Sequence, residues 1–309
     1  MKSIAFLCIW FGKAPVFLPA WLASCGKNES IDFYLFTDIK EELPCPPNVK
    51  KIEISFRDFC NRFTEIYGVT DGISKPYKLC DVRPAFGEVL GEYIKGYDYW
   101  GYCDEDLLWG DIRHFITDEI LKKNDRILTR GHCSIYRNTP EVNSYYRTLP
   151  RKGHMVYEEI LFDPEVCAFD EWAEHKGGGV SAIFRDNQIP MYNEPVMADI
   201  YVAKGDFKIN YRPDLAGTRY FLYDNGKVYA CGKNRSRGSF KEEVLYCHFQ
   251  KRRITIDDGI DYERFLLEPV GHMRNETAKA QGLKERSKVW RMNLRYELRK
   301  VYAKVRGRG

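Results

Sequence analysis

Residues 3–10 read Ser-Ile-Ala-Phe-Leu-Cys-Ile-Trp, a continuous apolar run. A strand with so little alternation must be covered on both faces, which is the position of a central parallel strand. Phe11-Gly12-Lys13-Ala14-Pro15 turns the chain at that strand's carboxyl end. The spacing then predicts a helix over 16–25, with proline tolerated only in its first turns, and a second apolar strand over 31–36 that ends at Thr37-Asp38. A β-α-β opening implies an α/β fold with a mostly parallel, partly mixed central sheet flanked by helices. Ligands of such sheets bind beyond the carboxyl ends of the strands. Gly12-Lys13 and Thr37-Asp38 both fall there.

The same reading predicts a short strand over 49–54 and helices over 56–67 and 77–93, the latter starting regularly only near Arg83 because of Pro84. An aromatic strand over 97–103 then runs into Asp104-Glu105-Asp106. Strand alternation puts Asp104 and Asp106 on one face and Glu105 on the other. Two carboxylates on one face beyond a buried strand suit a hard divalent cation; the plainer alternative is a solvated acidic turn. Asp111 reads as the cap of the helix that follows. Later come a strand over 126–130, a polar helix over 140–146, a hairpin turning at Asn225-Gly226, and a strand over 244–249 that leads into Gln250-Lys251-Arg252.

Three further places carry candidate chemistry. Lys78, Asp81 and Arg83 open the 77–93 helix; an arginine forks onto phosphate or carboxylate, while the plain alternative is helix-terminal charge. His248 and Lys251 end a strand, where an imidazole completes a carboxylate metal site and Lys251 offers a cation to phosphate; the plain alternative is a structural or merely exposed histidine. Glu158, Glu159, Asp170 and Glu171 are candidates for a general base, against the alternative of surface charge.

The ten cysteines are scattered with no Cys-x-x-Cys pair, which points to free thiols in a reducing cytoplasm. No apolar stretch is long enough to span a bilayer. The net charge of +4 hides an asymmetry, because from Arg274 onward twelve Lys/Arg face three Asp/Glu. The composition break after Gly271 divides the chain into a catalytic domain, 1–271, and a basic tail, 272–309. In the tail Trp290, Leu294, Leu298, Val301 and Val305 recur at helical spacing between basic residues. That pattern suits peripheral contact with an anionic membrane surface; the alternative is a helix packed on the catalytic domain. No nucleic-acid recognition module accompanies it, so a nucleic-acid partner is not expected.

Taken in order, these pieces resemble a nucleotide-sugar glycosyltransferase of the GT-A fold. The strand ending in Thr37-Asp38, the run Lys78-x-x-Asp81-x-Arg83, then Asp104-x-Asp106 and the late His248-Phe249-x-x-Lys251 are similar in layout to glycosyltransferase families 8 and 32. The runs Tyr99-Trp100-Gly101-Tyr102-Cys103-Asp104-x-Asp106 and Gly131-His132-x-x-x-Tyr136-Arg137-Asn138 resemble a bacterial family of unassigned activity. The resemblance implies that Asp104, Asp106 and His248 hold Mn2+ or Mg2+ against the diphosphate of a donor, a UDP-sugar by this likeness. It implies that Gly12, Thr37 and Asp38 line the base pocket, with Lys13 next to Gly12 on the donor side, and that Asp81 and Arg83, with Lys78 beside them, contact ribose, phosphate or sugar. Lys251 would face phosphate, although the family spacing after His248 is not kept. His132 and Arg137 would meet sugar hydroxyls, against the alternative of a turn with solvated polar residues. The acceptor would be a glycan or lipid-linked glycan in capsule, exopolysaccharide or lipopolysaccharide assembly. A nucleotidyltransferase or phosphate-ester hydrolase on the same acidic pair, or a non-catalytic glycan-binding protein, are the alternative functions.

Overall fold

A computed structural model describes residues 1–68, 71–201, 204–250, 252–276, 287, 289–296 and 298–299. The chain divides into two compact units: Met1–Ala14, Glu29–Glu105 and Ile116–Glu194 form the first, and Pro15–Asn28, Asp106–Phe115 and Pro195–Gly309 the second. Both mix strands and helices, so the chain is α/β with several mixed sheets.

In the first unit, β1 (Ile4–Trp10), β2 (Ile31–Thr37), β3 (Val49–Glu53) and β4 (Tyr99–Cys103) run parallel in the order β3-β2-β1-β4. The next strand in sequence, β5 (Leu107–Trp109), belongs to the second unit. β6 (Arg126–Arg130), β7 (Cys133–Arg137) and β8 (Met191–Tyr192) complete the seven-stranded sheet, with β7 antiparallel to both of its neighbours. The sheet is therefore parallel on one side and mixed on the other, as the opening apolar run implies. Helix α2 (Phe56–Tyr67) starts where the Ser55 hydroxyl accepts from Asp58 N. It ends at Gly68, whose φ of 79° needs a residue without a Cβ. Its buried Phe59 and Phe63 face Phe86. Trp100 stacks on Tyr136 at 4.8 Å between ring centres in the same core.

The predicted 77–93 helix is broken into short turns: Pro76–Lys78, Leu79–Val82, Arg83–Ala85, Phe86–Val89 and Gly91–Ile94. Two prolines explain much of this, since each lacks the N–H that a regular helix would pair and Pro84 falls mid-run. Phe86 and Leu90 are buried all the same, Tyr93 is half-buried, and Tyr77 is exposed.

In the second unit, helix α1 (Leu18–Gly26) carries Pro19 in its first turn. β9 (Ala198–Ile200), β10 (Ile209–Asn210) and β14 (Tyr246–His248) join β5 in the order β10-β9-β14-β5. A six-stranded sheet holds β11 (Thr218–Asp224), β12 (Lys227–Asn234), β13 (Gly238–Val244), β15 (Thr255–Ile256), β16 (Arg264–Leu267) and β17 (His272–Asn275). β11 and β12 turn at Asn225 and Gly226 with φ of 49° and 88°, the two positive angles that the Asn-Gly pair supplies. The cores of the two units are separate aromatic and aliphatic clusters, the second built on Phe207, Phe221, Tyr223 and Phe265.

Candidate functional site

The parallel strands bring the expected residues of the first unit to one rim. Register pairs Trp10 with Thr37 and Cys8 with Cys103, so Gly12, Asp38 and Asp104 all lie past carboxyl ends. The Asp38 carboxylate accepts from Gly12 N at 2.7 Å, joining the two loops. Lys13 contributes its carbonyl to Trp10 Nε1 at 3.0 Å. Thr37 is fully buried and its hydroxyl accepts from Ile39 N, so it shapes the loop rather than facing outward. The turn between β6 and β7 reaches the same rim, where the His132 carbonyl accepts from Asp104 N at 3.0 Å.

Arg83 organises the carboxylates there. Its guanidinium bonds Asp104 Oδ1 and the Gly131 carbonyl, stands 3.4 Å from Asp170 Oδ2, and covers the Tyr102 ring at 5.3 Å. Gly131 N donates to Glu171 Oε1 at 3.1 Å. A Cβ on Gly131 would collide with that oxygen and lie 3.0 Å from Asp170 Oδ2, so any larger residue there displaces the Glu171 carboxylate. Burial pushes the Asp170 carboxyl up to about 8, with the neighbouring carboxylates adding to burial and Arg83 opposing it.

Asp81 does different work from that expected. Its side chain is fully buried, and both oxygens are taken: Oδ2 accepts from Lys78 Nζ at 2.8 Å and Cys167 N at 2.8 Å, Oδ1 from Phe169 N at 3.0 Å. Lys78 is equally buried and also reaches the Glu165 carbonyl at 2.7 Å. In this structure both residues hold the segment that carries Asp170 and Glu171, and neither is open to a donor. The segment needs holding, because Ala168 and Ala173 on either side of the pair adopt φ of 56° and 41°.

Arg137 lies at the wrong end for a sugar contact at this rim. Antiparallel pairing sets it opposite Tyr99, while Cys133 at the other end of β7 is opposite Cys103. Its guanidinium is engaged by Asp125 at 2.6 Å and by the carbonyls of Leu121, Lys122 and Asn124. Glu158 and Glu159 are exposed on a short helix, Tyr157–Phe162.

The strand alternation proposed for the acidic run stops early. β4 ends at Cys103, and Glu105 and Asp106 form a turn before β5 starts at Leu107. Glu105 is buried. Asp111 caps the following turn, accepting from His114 N at 3.0 Å.

In the second unit, Asp106 and His248 meet. The Asp106 carbonyl accepts from Phe249 N at 3.2 Å, and β5 pairs with β14, His248 opposite Leu107. Asp106 Oδ1 is 3.4 Å from His248 Nε2, and among the described residues this buried oxygen has no hydrogen-bond partner. The other ring nitrogen, Nδ1, bonds Asp199 Oδ1 at 2.8 Å. Asp199 is held in turn by Gln250 Nε2 at 2.7 Å and Asn210 Nδ2 at 2.8 Å. Burial alone would lower the His248 pKa, but Asp106 and Asp199 outweigh it and push the imidazole up to about 10. A histidine oriented by a carboxylate through one nitrogen, with a carboxylate oxygen beside the other, is the donor chemistry of a carboxylate–histidine metal site. These residues therefore fit a divalent cation. Asp199 did not figure among the sequence candidates; its signal is a lone charge in the otherwise apolar strand Met197-Ala198-Asp199-Ile200. Arg252 is spoken for, since its guanidinium bonds the carbonyls of Pro269, Lys204 and Asp206. Lys251 lies outside the described residues.

Residues 6–276 match the family described as "Family of unknown function (DUF6625)", and the chain belongs to that family. No curated protein matches the sequence. Among solved structures, the chain is similar to mouse xyloside xylosyltransferase 1 in its apo form, at 11% identity over 64% of this chain and 87% of the other, with a TM-score of 0.37. It is similar to the galactosyltransferase LgtC in complex with donor and acceptor sugar analogues, at 14% identity over 64% and 75%, with a TM-score of 0.31. A third is the glycosyltransferase GlyE of Streptococcus pneumoniae TIGR4, at 10% identity over 44% and 34%, with a TM-score of 0.24. Likenesses this distant carry no inference about activity, which rests on the side chains above.

Proposed function

We propose that this member of the DUF6625 family is a metal-dependent glycosyltransferase that moves a sugar from a nucleoside-diphosphate donor, a UDP-sugar, to a bacterial glycan or lipid-linked glycan acceptor. The observation that carries the reading is the Asp106–His248–Asp199 arrangement, in which an oriented imidazole nitrogen and a buried carboxylate oxygen lie 3.4 Å apart. Asp106 and His248, in the second unit, would hold Mn2+ or Mg2+. Such a cation supplies neutralisation of the charge that develops on a diphosphate leaving group.

The chain's own residues do the rest. Asp199 fixes the His248 ring and its tautomer. Gly12 and Asp38 form the joined loop that receives the nucleoside, with Lys13 and Thr37 as its backbone supports. Arg83 keeps the Asp104 carboxylate in place and presents a cation toward the donor. Asp170 and Glu171, aimed at Gly131, are the acceptor-side acid–base candidates, and Asp170 has the raised proton affinity that such a role uses. Lys78 and Asp81 position them. Capsule, exopolysaccharide or lipopolysaccharide assembly is the setting that fits a glycan acceptor, on the cytoplasmic side where nucleotide sugars are made.

The test is a thermal-shift panel of nucleotides and nucleotide sugars with and without Mn2+. A ligand of the folded state raises Tm. A UDP-sugar should raise it only with the metal, and Asp106→Asn and His248→Gln should abolish the gain. No shift with any UDP compound would sink the donor assignment. Product analysis with a responding donor separates sugar transfer, which frees UDP, from nucleotidyl transfer, which frees pyrophosphate.

A further inference from the structure

The last helical residues, 289–296 with 298 and 299, use one side to hold to their own unit. Val289 and Met292 lie against Gly205, where an added Cβ would be 2.8 Å from the Val289 carbonyl and 3.0 Å from Met292 Cβ. Asn293 accepts from Gly205 N at 2.9 Å and donates to Asp206 Oδ2 at 3.2 Å. Tyr296 meets the Tyr201 ring edge-on at 5.8 Å, and the Lys204 ammonium lies 5.1 Å over Tyr296. With roughly 100° of rotation per residue, positions 289, 292, 293 and 296 share one face.

The outward side is patterned too. Trp290, Leu294 and Leu298 recur every fourth position and are 64%, 42% and 58% exposed. One position further along, Arg291, Arg295 and Arg299 make a parallel exposed row. Isolated exposed apolar residues need no explanation, but three in register beside three arginines form a stripe with two chemistries. The charge extends along the sequence, with twelve Lys/Arg against three Asp/Glu from Arg274 onward. A free phosphate would use the arginines and leave the tryptophan and leucines in water. A bilayer interface uses both rows.

We propose that this helix seats the protein on an anionic lipid bilayer, with Trp290, Leu294 and Leu298 entering the boundary between headgroups and acyl chains and Arg291, Arg295 and Arg299 meeting lipid phosphates. The inner face, bound to Tyr201, Lys204, Gly205 and Asp206, keeps the helix on its unit while the outer face binds lipid. No helix among the described residues is long and apolar enough to cross a membrane, so the contact is with the surface. The inference does not depend on the sugar-transfer reading.

The experiment is flotation of the full chain with vesicles of phosphatidylcholine alone or with about a third phosphatidylglycerol. The protein should float with the mixed vesicles only, and less as salt rises. Trp290→Ser/Leu294→Ser/Leu298→Ser should lower partitioning on the order of 100-fold, and Arg291→Gln/Arg295→Gln/Arg299→Gln by a similar factor. Thermal unfolding of each variant reports whether it folds, and the two are independent, so loss of one leaves the other to decide. Failure to float at low salt overturns the proposal, as does undiminished flotation of a folded variant of either row. A wild-type dimer in sedimentation that the apolar variant converts to monomer also overturns it, because the stripe then belongs to a second copy of the chain.

Discussion

Replacing Asp81 by Asn is expected to destabilise the first unit by about 3–5 kcal/mol, the cost of leaving one member of a buried ion pair without its partner. Lys78 Nζ and Asp81 Oδ2 are 2.8 Å apart and both side chains are fully buried, so water cannot take over either charge. The carboxylate also accepts from the Cys167 and Phe169 amides, one on each oxygen. An asparagine keeps one acceptor, so one buried amide is orphaned at about 1–3 kcal/mol. The two losses share a site and do not simply add. With urea m-values of about 1–3 kcal/mol/M, the midpoint should fall by about 1 M or more. The assay is urea unfolding followed by far-UV circular dichroism and tryptophan fluorescence. The control is Lys78→Met/Asp81→Asn, which removes the stranded ammonium and should recover all but the amide cost. A wild-type midpoint for the single variant, or a double variant no better than the single, would refute the positioning role. If Asp81 instead touched a donor, stability would hold and only donor affinity would fall.

Asp170 should make stability depend on pH. An ordinary Asp ionises near about 3.9, whereas burial holds this one up to about 8. The folded state therefore keeps a proton that the unfolded chain has lost, and stability falls as pH rises from about 4 through 8. Asp170→Asn should flatten the urea midpoint over that window; an unchanged slope would count against it. The imidazole of His248, pushed up to about 10, carries a proton at neutral pH. Mn2+ must displace it, so affinity should rise about tenfold per pH unit with release of one proton. Calorimetry in buffers of different ionisation heat reads that proton, and pH-independent binding would remove His248 from the ligand set. Gly131→Ala should cost about 1–3 kcal/mol, because its methyl meets the Glu171 and Asp170 carboxylates. A Tm equal to wild type would show that the two carboxylates yield freely.

The rim was legible wherever local chemistry decided it. The apolar run of β1, the Thr37-Asp38 end of β2 and the aromatic β4 announce strands on their own. Register then carries Gly12, Asp38 and Asp104 to one edge. Asn225-Gly226 likewise states its turn locally. What was hidden depends on partners far away in sequence. Asp81 looked like a ligand contact because a carboxylate near a helix start has several uses. Its actual use is set by two amides 86 and 88 residues on. Arg137 followed a glycine turn that does reach the rim, but a five-residue antiparallel strand takes it to the opposite end. Asp199 is the sharper case. A single charge inside an apolar strand costs too much to bury without a partner. Such a residue therefore announces a partner even when the sequence does not name it, and here the partner is the ring of His248. Reading lone charges in apolar strands as half of a pair would have found the orienting carboxylate, and with it the reason that the His248 ring is held as a cation ligand would be.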